Sequence, residues 1–272
     1  MSFETERDAT TAQRIFPQTA ARLEEWRARP EVAGVLLVGS KSRGHGDQLS
    51  DDDLEVILDD EAHARLGPSQ CLEYLIEGEG EARKIIYDAQ YVPLGELERK
   101  ARSTRDLDHW PYESSPVLYD REGRIAPAVA AAARMNAEFR RARLLHATID
   151  AGVATRRAAK TKRRGMDAAS RLLLARAAKA LTRILFALEW RWVPLDHWLE
   201  PEVRTLSENE EAARYLLEAL RTGDPSQLGD ALNALEDRLH AEGVPRPEGR
   251  PELFFELIHP SRAEERLIHG LN

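Results

Sequence analysis

The chain has one cysteine, Cys71, in 272 residues. An internal disulfide is therefore excluded, and a reducing, cytoplasmic setting is the simplest expectation. No apolar run approaches the roughly 18 residues that a membrane-spanning helix needs, so no membrane partner is expected. The opening stretch, MSFETERDATTAQRIF, lacks the apolar centre of a secretion signal. An excess of positive charge is also missing. With 39 basic and 47 acidic residues the formal net charge is −8, which argues against general affinity for polyanions and makes nucleic acid an unexpected partner. No internal repeat is visible. What is present, 42% hydrophobic and 32% charged residues, suits a globular protein of one large or two modest domains.

The most informative stretch runs from Val35 to Leu58, VLLVGSKSRGHGDQLSDDDLEVIL. Val35 to Val38 form a continuous apolar run bounded by Gly39, the pattern of a strand covered on both faces. A polar loop follows, then a second strand beginning near Asp51. Alternation sends Asp51, Asp53 and Glu55 to one face and Leu54, Val56 and Leu58 to the other. A core accounts for the apolar face but not for acids gathered at the mouth of a strand beside a Gly-Ser turn. Downstream, Arg83 to Val92 has the β-branched and aromatic content of a strand. Asp88 stands in its middle, where an acid needs a reason.

The run Gly39-Ser40-Lys41-Ser42-Arg43-Gly44, followed by Ser50-Asp51-Asp52-Asp53-Leu54-Glu55-Val56, resembles the signature of the DNA polymerase β-like nucleotidyltransferase superfamily. The likeness is to its small bacterial, aminoglycoside-type members with a helical C-terminal domain. That signature is a Gly-Ser pair, a short spacer, then acid–any–acid on a strand. One departure is Asp52, where the family carries an apolar residue. The resemblance implies Asp51, Asp53 and Asp88 as catalytic metal ligands, with two magnesium ions. Asp53 with Glu55 is the alternative register, and Glu79 and Glu81 are alternatives to Asp88. It also implies Gly39, Ser40, Arg43 and Ser50 as nucleotide-binding residues, with ATP or another nucleoside triphosphate as donor. Arg43 pairing with Asp47 is the plainer alternative for that side chain. Alternation turns Asp52 away from the site, as a solvated strand-end acid, and Lys41 is expected to be an exposed loop residue.

The implied activity is transfer of a nucleoside monophosphate, AMP from ATP, to a hydroxyl of a small-molecule acceptor. AMP transfer to protein or RNA and non-catalytic nucleotide binding are the alternatives. The expected fold is α+β, with a small mixed sheet and flanking helices over residues 1–125 as a catalytic domain. An α-helical bundle over residues 126–272 is expected to be the acceptor-binding domain.

Element by element, Pro17 to Arg29 has helical spacing, and Pro30 stops it. Ser69 to Glu77 fits either a helix or a strand. From Ala126 alanine, leucine and arginine dominate, and helices are expected over 127–151, 154–190, 202–220 and 226–241, with Gly165 a possible break in the second. The basic run from Arg156 to Arg164 fits a solvated helix face as well as it fits an anion site. Asp167 and Glu189 lie on these helices as candidate bases for an acceptor hydroxyl.

Overall fold

The computed structural model describes residues 15–271. The polar stretch before Ile15, on which the expectation of no secretion signal rests, lies outside them. The chain divides into two compact units. One takes the residues up to Ser103 together with Asp108–Arg134, and the other takes Thr104–Leu107 together with the chain from Met135. The sequence-based division at 125/126 falls at the start of a helix, α5 (Ile125–Ala133), that packs with the first unit.

The first unit is built on a five-stranded sheet in the order β3-β4-β2-β1-β5, formed by β1 (Val32–Leu37), β2 (Asp52–Leu58), β3 (Leu72–Glu77), β4 (Lys84–Pro93) and β5 (Val117–Asp120). The β2–β4 pair is parallel and the other pairs are antiparallel, so the fold is α+β with a mixed sheet, as expected. The ambiguous stretch before Gly78 is a strand. Its apolar residues could not choose between periods, and pairing with β4 decides.

Each face of this sheet has its own covering. On one face Leu37, Val35, Leu54, Val56, Ala89 and Tyr91 pack with Leu23 and Trp26 of helix α1 (Pro17–Ala28). The Trp26 indole donates to the Tyr91 hydroxyl at 3.1 Å, which gives a fully buried ring a partner for its polar atom. On the other face Leu36, Ile57 and Val92 pack with helix α4 (Leu94–Lys100), α5 and Tyr112. Gly34 permits this, because a Cβ there would lie 2.4 Å from the Ile125 side chain. Asp53, near the start of β2, and its neighbour Asp88, midway along β4, are not part of that apolar cluster. The remaining helices of this unit, α2 (Gly39–Ser42) and α3 (Asp60–Ala64), are single turns.

The second unit is helical. Its central pair is α6 (Ala137–Arg163) and α7 (Asp167–Leu188). Around it lie α8 (Leu199–Val203), α9 (Glu210–Thr222), α10 (Pro225–Ala234), α11 (Glu236–Ala241), α12 (Arg250–Leu257) and α13 (Ala263–His269). The sequence-based helix ends are corrected here. The chain does not break near 151–154, because Gly152 and its neighbours continue α6. It breaks instead before Asn136, whose side chain caps α6 by accepting from the Phe139 amide at 2.8 Å, and again at Gly165, where φ is +70°. The basic residues Arg156 to Arg164 are exposed along the last turns of α6, where the helix dipole favours cations.

Candidate metal centre

The site begins at the end of β1. Gly39 has φ +67°, and a Cβ there would stand 1.8 Å from an Asp53 carboxylate oxygen. Only glycine permits both the left-handed turn and that approach. The Ser40 amide donates to the Asp53 carboxylate, and the Val38 amide donates to the Asp53 carbonyl at 2.9 Å. The turn is closed internally. Ser42 Oγ donates to the Gly39 carbonyl at 2.8 Å, and Ser40 Oγ donates to Ser50 Oγ at 3.1 Å. Ser50 is in turn held against Asp47 at 3.0 Å. The Gly-Ser pair and Ser50, ten residues apart, are thus one hydrogen-bonded unit beside Asp53.

Parallel pairing sets Asp53 directly beside Asp88, so both point from the same face. Asp51 completes the group. Asp51, Asp53 and Asp88 each offer an oxygen atom, and the three atoms all lie within 4.8 Å of one another. Among the described residues none of the three carboxylates forms an ion pair. Burial, then the charges of Asp51 and Asp88, push Asp53 up to about 7, against the pull of the Ser40 amide. Burial and then Asp51 also raise Asp88. Three half-buried carboxylates without a cation are mutually repulsive, and a set of oxygen-only ligands of this kind fits magnesium, which keeps several of its waters.

The alternative acid of the strand, Glu55, is occupied elsewhere. It accepts from the Tyr112 hydroxyl at 2.6 Å and from Lys100 at 3.4 Å. Burial and the Glu55 charge push the Tyr112 phenol upward, so it stays a donor. Glu79 and Glu81 are exposed in the turn before β4 and do not join the triad. Glu189 caps the start of another segment, accepting from the amides of Ser207 and Glu208 at 3.2 and 3.0 Å. Asp167 is exposed at the first turn of α7.

Two expectations are overturned. Asp52 does point to the opposite face, but it is not solvated. It is fully buried, accepts from the Phe16 amide at 2.8 Å and pairs with Lys41 at 2.5 Å. Lys41 is correspondingly not an exposed loop residue; its ammonium also lies 3.6 Å from the centre of the Phe16 ring. The Arg43 guanidinium does not pair with Asp47. It stacks on the Trp110 ring at 4.6 Å and donates to the Trp110 carbonyl and to Glu113. The extra acid at 52 is visible in the sequence as a departure, and its charge, opposite to that of Lys41, was the available signal that the two compensate one another.

No family model matches the chain, and neither does any curated protein. Among solved structures, the chain is similar to a nucleotidyltransferase-like protein from Exiguobacterium sibiricum 255-15. Identity is 15%, the alignment covers 93% of this chain and 87% of that one, and the TM-score is 0.45.

Proposed function

We propose that the chain is a metal-dependent nucleotidyltransferase that moves AMP from ATP to a hydroxyl of a small-molecule acceptor. The observation that carries this reading is the contact between the Gly39-Ser40 turn and the acidic triad, which abut through Asp53. Asp51, Asp53 and Asp88 hold magnesium, which would neutralise charge on the attacking and leaving oxygens. The Gly39-Ser40 turn and Ser50 hold the triphosphate, glycine giving close backbone approach and the hydroxyls giving polar contacts. Arg43, anchored on Trp110 and Glu113, fixes the far end of the same turn. In the reaction the acceptor oxygen bonds to the α-phosphorus and loses its proton. The bond to the bridging oxygen breaks, and pyrophosphate leaves with the electron pair. The work of the residues is placement and electrostatics rather than covalent chemistry.

The test is thermal and chemical. ATP with magnesium should raise the melting temperature, and ATP without metal should raise it less. Asp51→Asn with Asp53→Asn should abolish label transfer from ATP to a pool of hydroxylated small molecules while leaving the far-ultraviolet circular dichroism unchanged. Transfer surviving both substitutions would overturn the reading. Label appearing only on protein or RNA would replace the acceptor class.

A further inference from the structure

The two central helices of the second unit share a seam that is polar although it is buried. Phe139, Arg143, His146 and Asp150 recur at helical spacing along one face of α6. Arg143 and Asp150 are 1% exposed and His146 is fully buried, where a core-facing stripe is ordinarily apolar. Across from it, α7 carries Arg176 and Arg183, about two turns apart. His269, at the end of α13, joins from a third side. Its ring centre is 5.1 Å from that of His146 and 4.9 Å from that of Phe139, and the Arg143 guanidinium lies 4.5 Å from the same Phe139 ring. A Cβ at Gly270 would stand 2.2 Å from Arg183 Nη1, so Arg183 packs against the residue that follows His269.

The charges of this seam do not balance. Asp150 is taken by Arg176 at 2.8 Å, and Asp106 by Arg143 Nη1 and the Val193 amide. Glu265 stands 4.0 Å from His146 Nδ1 and pairs with Arg262 at 3.1 Å. Arg183 is left over. The helices form a hairpin, and the step along α7 from Arg176 to Arg183 matches the step back along α6 from Asp150 to Arg143, so two guanidiniums meet at one level. Among the described residues Arg183 makes no hydrogen bond and no ion pair, and burial, then the Arg143 charge, lower its pKa. Burial, then Arg143, His146 and Arg183, bring His269 down to about 3. Three polar atoms of the fully buried neighbours are also without partners: Arg143 Nε, His146 Nε2 and His269 Nδ1. Buried groups of this kind are ordinarily satisfied by protein, water or a bound ion.

We propose that Arg183, Arg143, His146 and His269 form a binding site for inorganic hydrogen phosphate. The inference does not rest on the proposed transfer reaction, because all four residues belong to the second unit. An oxyanion supplies what the seam is short of: negative charge for two guanidiniums, and acceptors for the Arg183 fork and for Arg143 Nε. His146 narrows the choice of ion. Its Nδ1 stands 2.8 Å from the Ala142 carbonyl and so carries the ring hydrogen, which makes Nε2 of the neutral ring an acceptor in need of a donor. Hydrogen phosphate brings one O–H together with its acceptor oxygens. Sulfate and the dianions of phosphate monoesters bring acceptors alone. Of the four residues only Arg183 is not fully buried, so the ion enters along its side chain.

The test uses the full chain, free of metal, with its histidine rings isotopically labelled, so that the His146 and His269 signals are recognised by their mutual cross-peak. Sodium phosphate, sodium sulfate and phenyl phosphate are titrated separately at mildly alkaline pH and constant ionic strength. The expected result is a saturable shift of both imidazole signals with phosphate, accompanied by a rise in melting temperature, and much weaker responses to the other two ions. Arg183→Met should bind phosphate at least about tenfold more weakly, the effect of losing charge-assisted hydrogen bonds. It should also melt higher than the parent in phosphate-free buffer, since it removes a cation that has no counter-charge. Imidazole signals that ignore phosphate overturn the site, even if the melting temperature rises, because the ion is then bound elsewhere. Equal responses to sulfate or phenyl phosphate overturn the assignment to hydrogen phosphate. Undiminished phosphate binding in Arg183→Met removes Arg183 from the site, and a lower melting temperature of that variant in phosphate-free buffer would show that another group already neutralises it.

Discussion

The side chain on which the site turns is Asp53. Its carboxyl is raised from an ordinary value of 3.8 to about 7 by burial and by two neighbouring acids. Between those two values the folded state keeps a proton that the unfolded state has lost. Stability of the metal-free protein therefore falls as pH rises from about 4 to about 7 and levels off above. Metal must displace the same proton. Magnesium affinity is expected to be about tenfold weaker at pH 6 than at pH 8, following the one-unit distance below the folded value. Calorimetric titration at the two pH values checks this, and a pH-independent affinity would remove the proton from the triad. In Asp53→Asn the metal-free melting temperature should fall less between pH 5 and pH 8, with the remaining fall belonging to Asp88, which burial and Asp51 also raise. Strand alternation put Asp51, Asp53 and Glu55 on one face, and only the resemblance picked Asp51 and Asp53 from them and added Asp88 from a second strand. Burial of Asp52 could be read from neither, since it depends on an ammonium eleven residues earlier in the chain and on the backbone of Phe16.

At the scale of elements, the link between α2 and β2 is the buried pair of Lys41 and Asp52. It joins the turn after β1 to strand β2, on the face opposite Asp53. Removing one member leaves the other charge buried without a partner, a loss of about 3–5 kcal/mol. Removing both charges is much milder, because desolvation of the pair offsets most of its attraction. Lys41→Met is thus expected to lower the melting temperature strongly. The double change Lys41→Met with Asp52→Asn should recover most of the loss, since the amide oxygen can still accept from Phe16. Denaturant melts of the three variants would show it; an unrecovered double variant would mean that the pair contributes more than mutual neutralisation. Elements were legible where the period was unambiguous, as in β1, β2 and β4. They were misjudged where a polar cap decides the break. Asn136 starts α6 through its own side chain, a signal that a run of alanine and arginine on either side obscures.

At the scale of the whole molecule the chain passes between its two units more than once. Residues 104–107 belong with the helical unit although both flanking segments belong with the sheet. Within the helical unit, Asp106 accepts from the buried Arg143 guanidinium and, at 3.0 Å, from the Val193 amide. Arg143 is only 1% exposed, and its ring neighbours Phe139 and Trp192 are apolar. Asp106→Ala therefore leaves a buried cation and a backbone donor unsatisfied, about 3–5 kcal/mol from the first alone. A composition change at Ala126 marks where helices begin to dominate, but nothing in the sequence marks four residues that leave one unit to neutralise the core of the other. The expected outcome is a lower urea midpoint for the helical unit, followed through the fluorescence of Trp190, Trp192 and Trp198 after Trp26 and Trp110 are replaced by phenylalanine. Magnesium affinity at the triad, measured well below the transition, should remain that of the parent protein, because Asp51, Asp53 and Asp88 lie on β2, β4 and the loop before them and share no hydrogen bond with Asp106. An unchanged midpoint would show that Arg143 finds another anion, and would remove Asp106 as the residue that commits this short segment to the helical core.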